Sequence, residues 1–166
     1  CGGMNKNAEI TIDGNAGTGL GENMMSGIIH VKGNASQSAG ATAHGGTIII
    51  NGNASSRCGI SLKGANLIVK GSVGHMSAFM AQSGTLLVCG NAGEALGDSI
   101  YETVIYLAGK PKSLGVDCEE KTITKKDLKK IDELLKIGNI KNINANKFRK
   151  YGSARKLYNF QIDNIS

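Results

Sequence analysis

The 166-residue chain has no tryptophan, one proline (Pro111) and only 4% aromatic residues, so its core cannot rest on large rings. It has to be packed from small and branched aliphatic side chains. No apolar run approaches the ~20 residues of a membrane-spanning helix, and the opening lacks the basic and then apolar stretch of a secretory signal, so no membrane association is expected. The four cysteines, at 1, 58, 89 and 118, form no CxxC pair, and a reducing cytoplasm is the simplest compartment. What is abundant is glycine, 24 residues in a chain that is still 40% hydrophobic. That combination excludes a disordered tract, which would lack the apolar residues, and collagen, which needs glycine at every third place and much proline.

Charge is unevenly placed. Residues 1–117 carry seven Lys/Arg and seven Asp/Glu, whereas 118–166 carry twelve and six, so the net +6 belongs to the last 49 residues. Twenty-two of the 24 glycines lie before that line. Two domains are read from this: a Gly-rich body over 1–117 and a basic C-terminal cap or tail over 118–166. Nothing aromatic is interleaved with the basic residues before Phe148 and Tyr151, which favours a solvated or partner-facing tail over a nucleic-acid surface.

The body is a repeat. Gly14, Gly33, Gly52, Gly71, Gly90 and Gly109 stand 19 residues apart. Two and four residues before each lie apolar pairs: Ile12/Ile10, Val31/Ile29, Ile50/Ile48, Val69/Leu67, Val88/Leu86 and Leu107/Ile105. That is the period of a strand, returning in register. Asn-Ala follows the anchor at 15/16, 34/35, 53/54 and 91/92, with Ser72-Val73 in the fourth coil; further glycines recur at Gly21, Gly40, Gly59 and Gly97, where the fourth coil has Ala78, and at Gly27, Gly46, Gly64 and Gly84. Each coil therefore has three corners, where glycine serves positive φ or the close approach of stacked turns. Stacking buries the aliphatic columns and pairs each strand with those above and below. The expected fold is an all-β solenoid, a right-handed single-stranded parallel β-helix of six coils, roughly 29 Å long at about 4.8 Å per strand. Left-handed acyltransferase helices use hexapeptides and hence 18-residue coils. A calcium-binding nonapeptide coil would need recurring aspartate, and 1–117 contains only Asp13, Asp98 and Asp117.

A solenoid end must be covered, or it would add strands from another molecule. The residues after Gly115 are expected to do this. Thr124 and Asp127 have the form of a capping box, and Leu128, Ile131, Leu134 and Leu135 recur at helical spacing until Gly138, with Lys125, Lys126, Lys129, Lys130 and Lys136 on the solvated face. The stretch from Lys147 to Ile165 joins Phe148, Tyr151, Leu157, Tyr158 and Phe160 to Arg149, Lys150, Arg155 and Lys156, and is read as docking on the solenoid or on a partner.

No catalytic constellation stands out. Cys1 would suit an N-terminal nucleophile, but Cys1-Gly2-Gly3 reads as the end of a coil that starts mid-pattern. His30, His44 and His75 occupy different coil positions and form no column. Cys58 shares its place with Leu20, Ala39 and Leu96 and reads as core, while Cys89 should point outward by strand parity. Ser56 and Ser61 lack His/Asp partners at fixed spacing, and Glu22, Glu94, Asp98 and Glu102 are scattered over turns. Gly14, Gly17, Gly19 and Gly21 follow a strand but are not followed by the helix of a dinucleotide site. No catalytic, cofactor-binding or metal-binding residue is assigned.

The pattern Gly14-x-x-Gly17-x-x-x-Gly21, returning as Gly90-x-x-Gly93-x-x-x-Gly97 and, with Ala78 last, from Gly71 and Gly74, resembles the repeats of the C-terminal β-helix domain of the glutamate synthase large subunit. The stretches His75 to Gln82, Gly97 to Glu102 and Lys110 to Gly115, with Lys156-Leu157-Tyr158, are most similar to its stand-alone form, a separate glutamate synthase subunit or related protein. The resemblance implies a scaffold. In the complete enzyme an amidotransferase domain releases ammonia from glutamine, a barrel bearing FMN and iron-sulfur reduces the imine formed with 2-oxoglutarate, and the β-helix supports both. On this reading the partners are amidotransferase and FMN-binding subunits that carry the cofactors, with a homo-oligomer as a further arrangement, and this chain holds no cofactor. The same repeat is similar to the β-helical chain of formylmethanofuran dehydrogenase, a second scaffold reading. A hexapeptide-type acyltransferase using His44 or His75 as base is the enzyme alternative.

Overall fold

The computed structural model describes residues 8–154. Six short strands, β1 (Glu9–Ile12), β2 (Ile28–Val31), β3 (Thr47–Ile50), β4 (Lys63–Val69), β5 (Ser83–Val88) and β6 (Val104–Leu107), stack in parallel, each on the next. The register is the 19-residue period itself: Ile10, Ile29, Ile48, Leu67, Leu86 and Ile105 pair in one column, and Ile12, Val31, Ile50, Val69, Val88 and Leu107 in a second. Six anchors enclose about five complete turns rather than six coils, because after Gly109 the chain continues only through bridges at Pro111 and Leu114 before leaving the stack.

Opposite the strands, isolated parallel bridges link Ala16, Ala35 and Ala54, and then Val73, Ala92 and Pro111. Small residues there let the two walls approach, and the space between is filled by a column ten residues after each anchor that alternates large and small: Met24, Ala43, Leu62, Ala81 and Ile100, all fully buried. A large side chain in one coil thus covers a small one in the next, which is how a narrow core reaches close packing.

The turn between these walls follows one rule in every coil. Residues five, seven and nine after the anchor all have φ between +53° and +80°, from Gly19, Gly21 and Asn23 to Ala95, Gly97 and Ser99. The alternation reverses successive peptides. The fifth and ninth residues donate their N–H to the next coil, as in Ser38 to Ser56 O (3.0 Å) and Thr42 to Ile60 O (3.0 Å), and the seventh donates to the coil before, as in Gly40 to Leu20 O (2.7 Å). Only the seventh points inward: a Cβ on Gly21 would lie 2.5 Å from Ile48 Cδ1. The seventh place therefore takes the smallest residues, glycine in four coils and Ala78 in the fourth, whereas Arg57, Met76 and Met80 hold the outer ones despite the roughly 1–2 kcal/mol that a left-handed residue with Cβ costs.

The C-terminal segment adds β7 (Cys118–Lys121), α1 (Lys125–Ile137), a short 3₁₀ turn (Ala145–Lys147) and β8 (Arg149–Ser153). The capping box forms, with the Thr124 hydroxyl accepting from Asp127 N and the Asp127 carboxylate accepting from Thr124 N, and Gly138 ends the helix. The helix does not cover the end of the solenoid. It lies on the outward side of the sheet, where Ile131, Leu134 and Leu135 pack with Phe148 on Ile49, Ile68, Leu87 and Tyr106. The end is closed by β8, which runs antiparallel to β6 with Ile105 opposite Tyr151, and β7 pairs beyond it. A strand edge presents unpaired N–H and C=O groups that another strand satisfies and a helix cannot. Leu157, Tyr158, Phe160, Arg155 and Lys156 lie outside the described residues.

Candidate functional site

A groove of about 510 Å³ runs over Gly74 and Gly93, flanked by His75, Glu94 and Lys112. These three side chains are exposed. His30 sits on β2 instead, its Nε2 3.0 Å from Asn51 Oδ1, and His44 is exposed at another corner. The three histidines are not brought together, and among the described residues no group of three or more His, Cys, Asp or Glu could hold a metal ion. Burial pushes the Cys58 thiol up to about 12 and those of Cys89 and Cys118 to about 11. All three are free thiols held protonated at neutral pH, poor as nucleophiles. Cys89 does face outward from the strand, but it is half-buried beneath the C-terminal segment. Cys1 lies outside the described residues.

A dense polar centre forms where the helix meets the sheet. The Asp127 carboxylate accepts from the Tyr106 hydroxyl (2.6 Å), Thr124 N (2.8 Å), the Thr124 hydroxyl (2.9 Å) and Lys150 Nζ (3.1 Å). Burial alone would raise its pKa, but the Tyr106 hydroxyl, the Thr124 backbone and the Lys150 ammonium outweigh it and hold the carboxyl at about 2. Tyr106 is shifted upward, by burial first and then by its bond to the Asp127 anion. With four donors on one carboxylate, three of them on Oδ2, this cluster ties β6, α1 and β8 together.

Comparison with known proteins is decisive about kinship. The GXGXG motif family matches residues 42–162, from within the second coil through the C-terminal segment. The chain belongs to the GXGXG family, a glutamate synthase-type domain. Protein GlxC of Rhizobium meliloti (strain 1021) is 63% identical over 164 residues, which cover 99% of this chain and 72% of GlxC. No solved structure matches the chain.

The glycines of this GXGXG chain divide by task. From Gly33 onward the anchors, Gly33, Gly52, Gly71, Gly90 and Gly109, are demanded by close approach: a Cβ on Gly71 would lie 2.7 Å from the Gly52 carbonyl oxygen and collide with Asn53 Oδ1. That asparagine belongs to a ladder. Asn15, Asn34 and Asn53 each accept, through Oδ1, the backbone N–H 19 residues on, at 2.7–2.8 Å, Ser72 Oγ does the same for Asn91 N, and Asn91 for Lys110 N. Gly74 and Gly93 also meet the backbone of the preceding coil, at 2.7 and 2.8 Å. Gly40, Gly59 and Gly97 join Gly21 as the inward left-handed residues. Gly14 and Gly17 lie on the first described coil, where no described atom comes within 4 Å of a Cβ.

Two groups escaped the sequence reading. Tyr106 and Lys150 join Asp127 only through folding, since 44 positions separate the first from the last. The covered outer face, however, left a legible trace. Three residues before each anchor the column reads Thr11, His30, Ile49, Ile68, Leu87, Tyr106, polar where the sheet stays open and apolar where the helix lies on it.

Proposed function

We propose that this chain is the non-catalytic assembly subunit or domain of a glutamate-synthase-type oxidoreductase, which makes glutamate from glutamine and 2-oxoglutarate, and that it holds the amidotransferase and FMN-bearing partners in place. One observation carries the reading. The family's signature glycines, from Gly33 to Gly109, are occupied by the backbone and side chains of neighbouring coils, so the motif serves stacking rather than a ligand. The product of that stacking is a bar with one side closed by a helix, its end closed by a strand, and, among the described residues, no secondary-structure element on its remaining side faces. Flavin and iron-sulfur chemistry falls to the partners in this assignment.

The test is affinity capture of the tagged full-length protein from its own cells, with mass spectrometry of what accompanies it and an assay for glutamine-dependent glutamate formation. Co-purifying amidotransferase and flavin subunits with that activity support the assignment. A homo-oligomer without them, or a molybdenum- or tungsten-type dehydrogenase in their place, rejects it.

A further inference from the structure

The outer face of α1 runs against the electrostatics of its own helix. A helix N-terminus carries partial positive charge and favours acidic residues, yet Lys125 and Lys126 fill the first two positions and Lys129 and Lys130 follow in the next turn. The first turn's acid, Asp127, is turned inward to Tyr106 and Lys150. Lys125, Lys126 and Lys129 are exposed and Lys130 half-buried. Among the described residues none of the four has an ion-pair partner. Four unpaired cations gathered at the wrong pole of a dipole are a local cost that the fold does not require.

We propose that this end of α1 is a docking face for an acidic surface on a partner protein. Charge complementarity selects the acid, and two further observations select protein over nucleic acid. Residues 1–117 are balanced at seven cations and seven anions, so the solenoid body offers no net positive charge to a phosphate backbone. Within the helix itself, exposed Asp132, paired with Lys136, and exposed Glu133 come two turns on from the first lysines; this mixed charge suits a protein surface better than a run of phosphates. No aromatic residue stands on this face to stack a base. The proposal rests on the assembly-subunit reading and names the face through which assembly proceeds.

The experiment compares the full-length tagged chain with a variant carrying Lys125→Gln, Lys126→Gln, Lys129→Gln and Lys130→Gln. Glutamine keeps helix propensity and much of the aliphatic stem, and thermal unfolding verifies that the variant folds. Both are captured from the native cells after zero-length amine-to-carboxylate crosslinking, at ~50 and ~300 mM salt, with and without nuclease. The expected result is crosslinks from these four lysines to Asp or Glu of an identified partner, and recovery at least about ten-fold lower for the variant and at the higher salt. If the variant does not fold, the crosslink map and salt series of the unaltered chain decide. Absence of crosslinks at these lysines, equal recovery by the variant, recovery that nuclease abolishes, or no partner at all overturns the proposal. Partners other than amidotransferase or flavin subunits, held through these lysines, would refute the assembly reading and leave the docking face standing. The expected subunits held equally well by the variant would do the reverse.

Discussion

In the five turns before Gly115 the neighbours of each residue are the residues 19 positions away; from Cys118 to Ala154 they come from unrelated parts of the chain. Leu67 touches its counterparts on β3 and β5 because the period puts them there, whereas Asp127 reaches Tyr106 and Lys150 across 21 and 23 positions that follow no repeat. The solenoid spreads its stabilisation over many equivalent columns and ladders, each rung contributing little that the next does not also contribute. The closing segment concentrates its attachment in one apolar seam, one short antiparallel ladder to β6 and one carboxylate with four donors. Redundant architecture tolerates local variation, as the fourth coil shows by placing Ala78 where the others have glycine, while a singular contact has no second copy to share its loss.

Ways to break that comparison run from the centre of the solenoid outward. Leu67→Ala empties a fully buried position between two rungs and is expected to cost about 4 kcal/mol, within the usual range for such cavities; denaturant unfolding measures it, and a loss under 1 kcal/mol would mean the columns collapse freely. Asp127→Ala attacks the singular contact. It strands the Tyr106 hydroxyl and the Lys150 ammonium, with an expected loss of about 3 kcal/mol, and should raise amide exchange in α1 and β8 before it does so in β2 or β3. Equal acceleration everywhere would show that the seam is no weaker a link than the stack.

The same carboxylate gives a pH signature. Its pKa is depressed from 3.8 to about 2 in the fold, so the anionic form stabilises the native state above the unfolded value, and that contribution is lost as pH falls from about 4 through about 2. The shift corresponds to roughly 2 kcal/mol. Unfolding titrations at neutral and low pH should show it, and Asp127→Asn should flatten that part of the profile. Gly71→Ala sharpens the redundant side of the comparison: its Cβ would stand 2.7 Å from the Gly52 carbonyl, and the expected cost is about 2 kcal/mol, read by denaturant unfolding. Smallest is Lys136→Ala. It removes an exposed pairing with Asp132 at 3.4 Å, expected to change stability by about 0.4 kcal/mol or less, so any larger effect would mark the outer face of α1 as more than solvated.

How far residues alone disclose this molecule depends on which region is read. Val31, Ile50, Val69 and Val88 announced their common column because a stacked strand repeats its inward pattern in register. Gly21, Gly40, Gly59 and Gly97 announced a turn, but not that its fifth and ninth residues are left-handed too, since Ser38, Arg57, Met76 and Thr42 carry no glycine signal. The amphipathic helix was legible from Thr124 to Gly138; its resting place was not, because an apolar stripe specifies that something covers it and not what. The column Ile49, Ile68, Leu87, Tyr106 held the answer, and only when matched to Ile131, Leu134 and Leu135 does it become one.

By itself the sequence determined the coil: its 19-residue length, its inward columns, its corner glycines and its kinship with glutamate synthase-type domains, all of which are local or strictly periodic and so are written in spacing. Tertiary structure alone decided how the stack ends. An open strand edge accepts whichever partner can satisfy its N–H and C=O groups, and that β8 does so antiparallel, while the helix turns to the side of the sheet and Asp127 finds Tyr106 and Lys150, follows from three-dimensional competition for one edge and one apolar face, for which no spacing in the chain is a code.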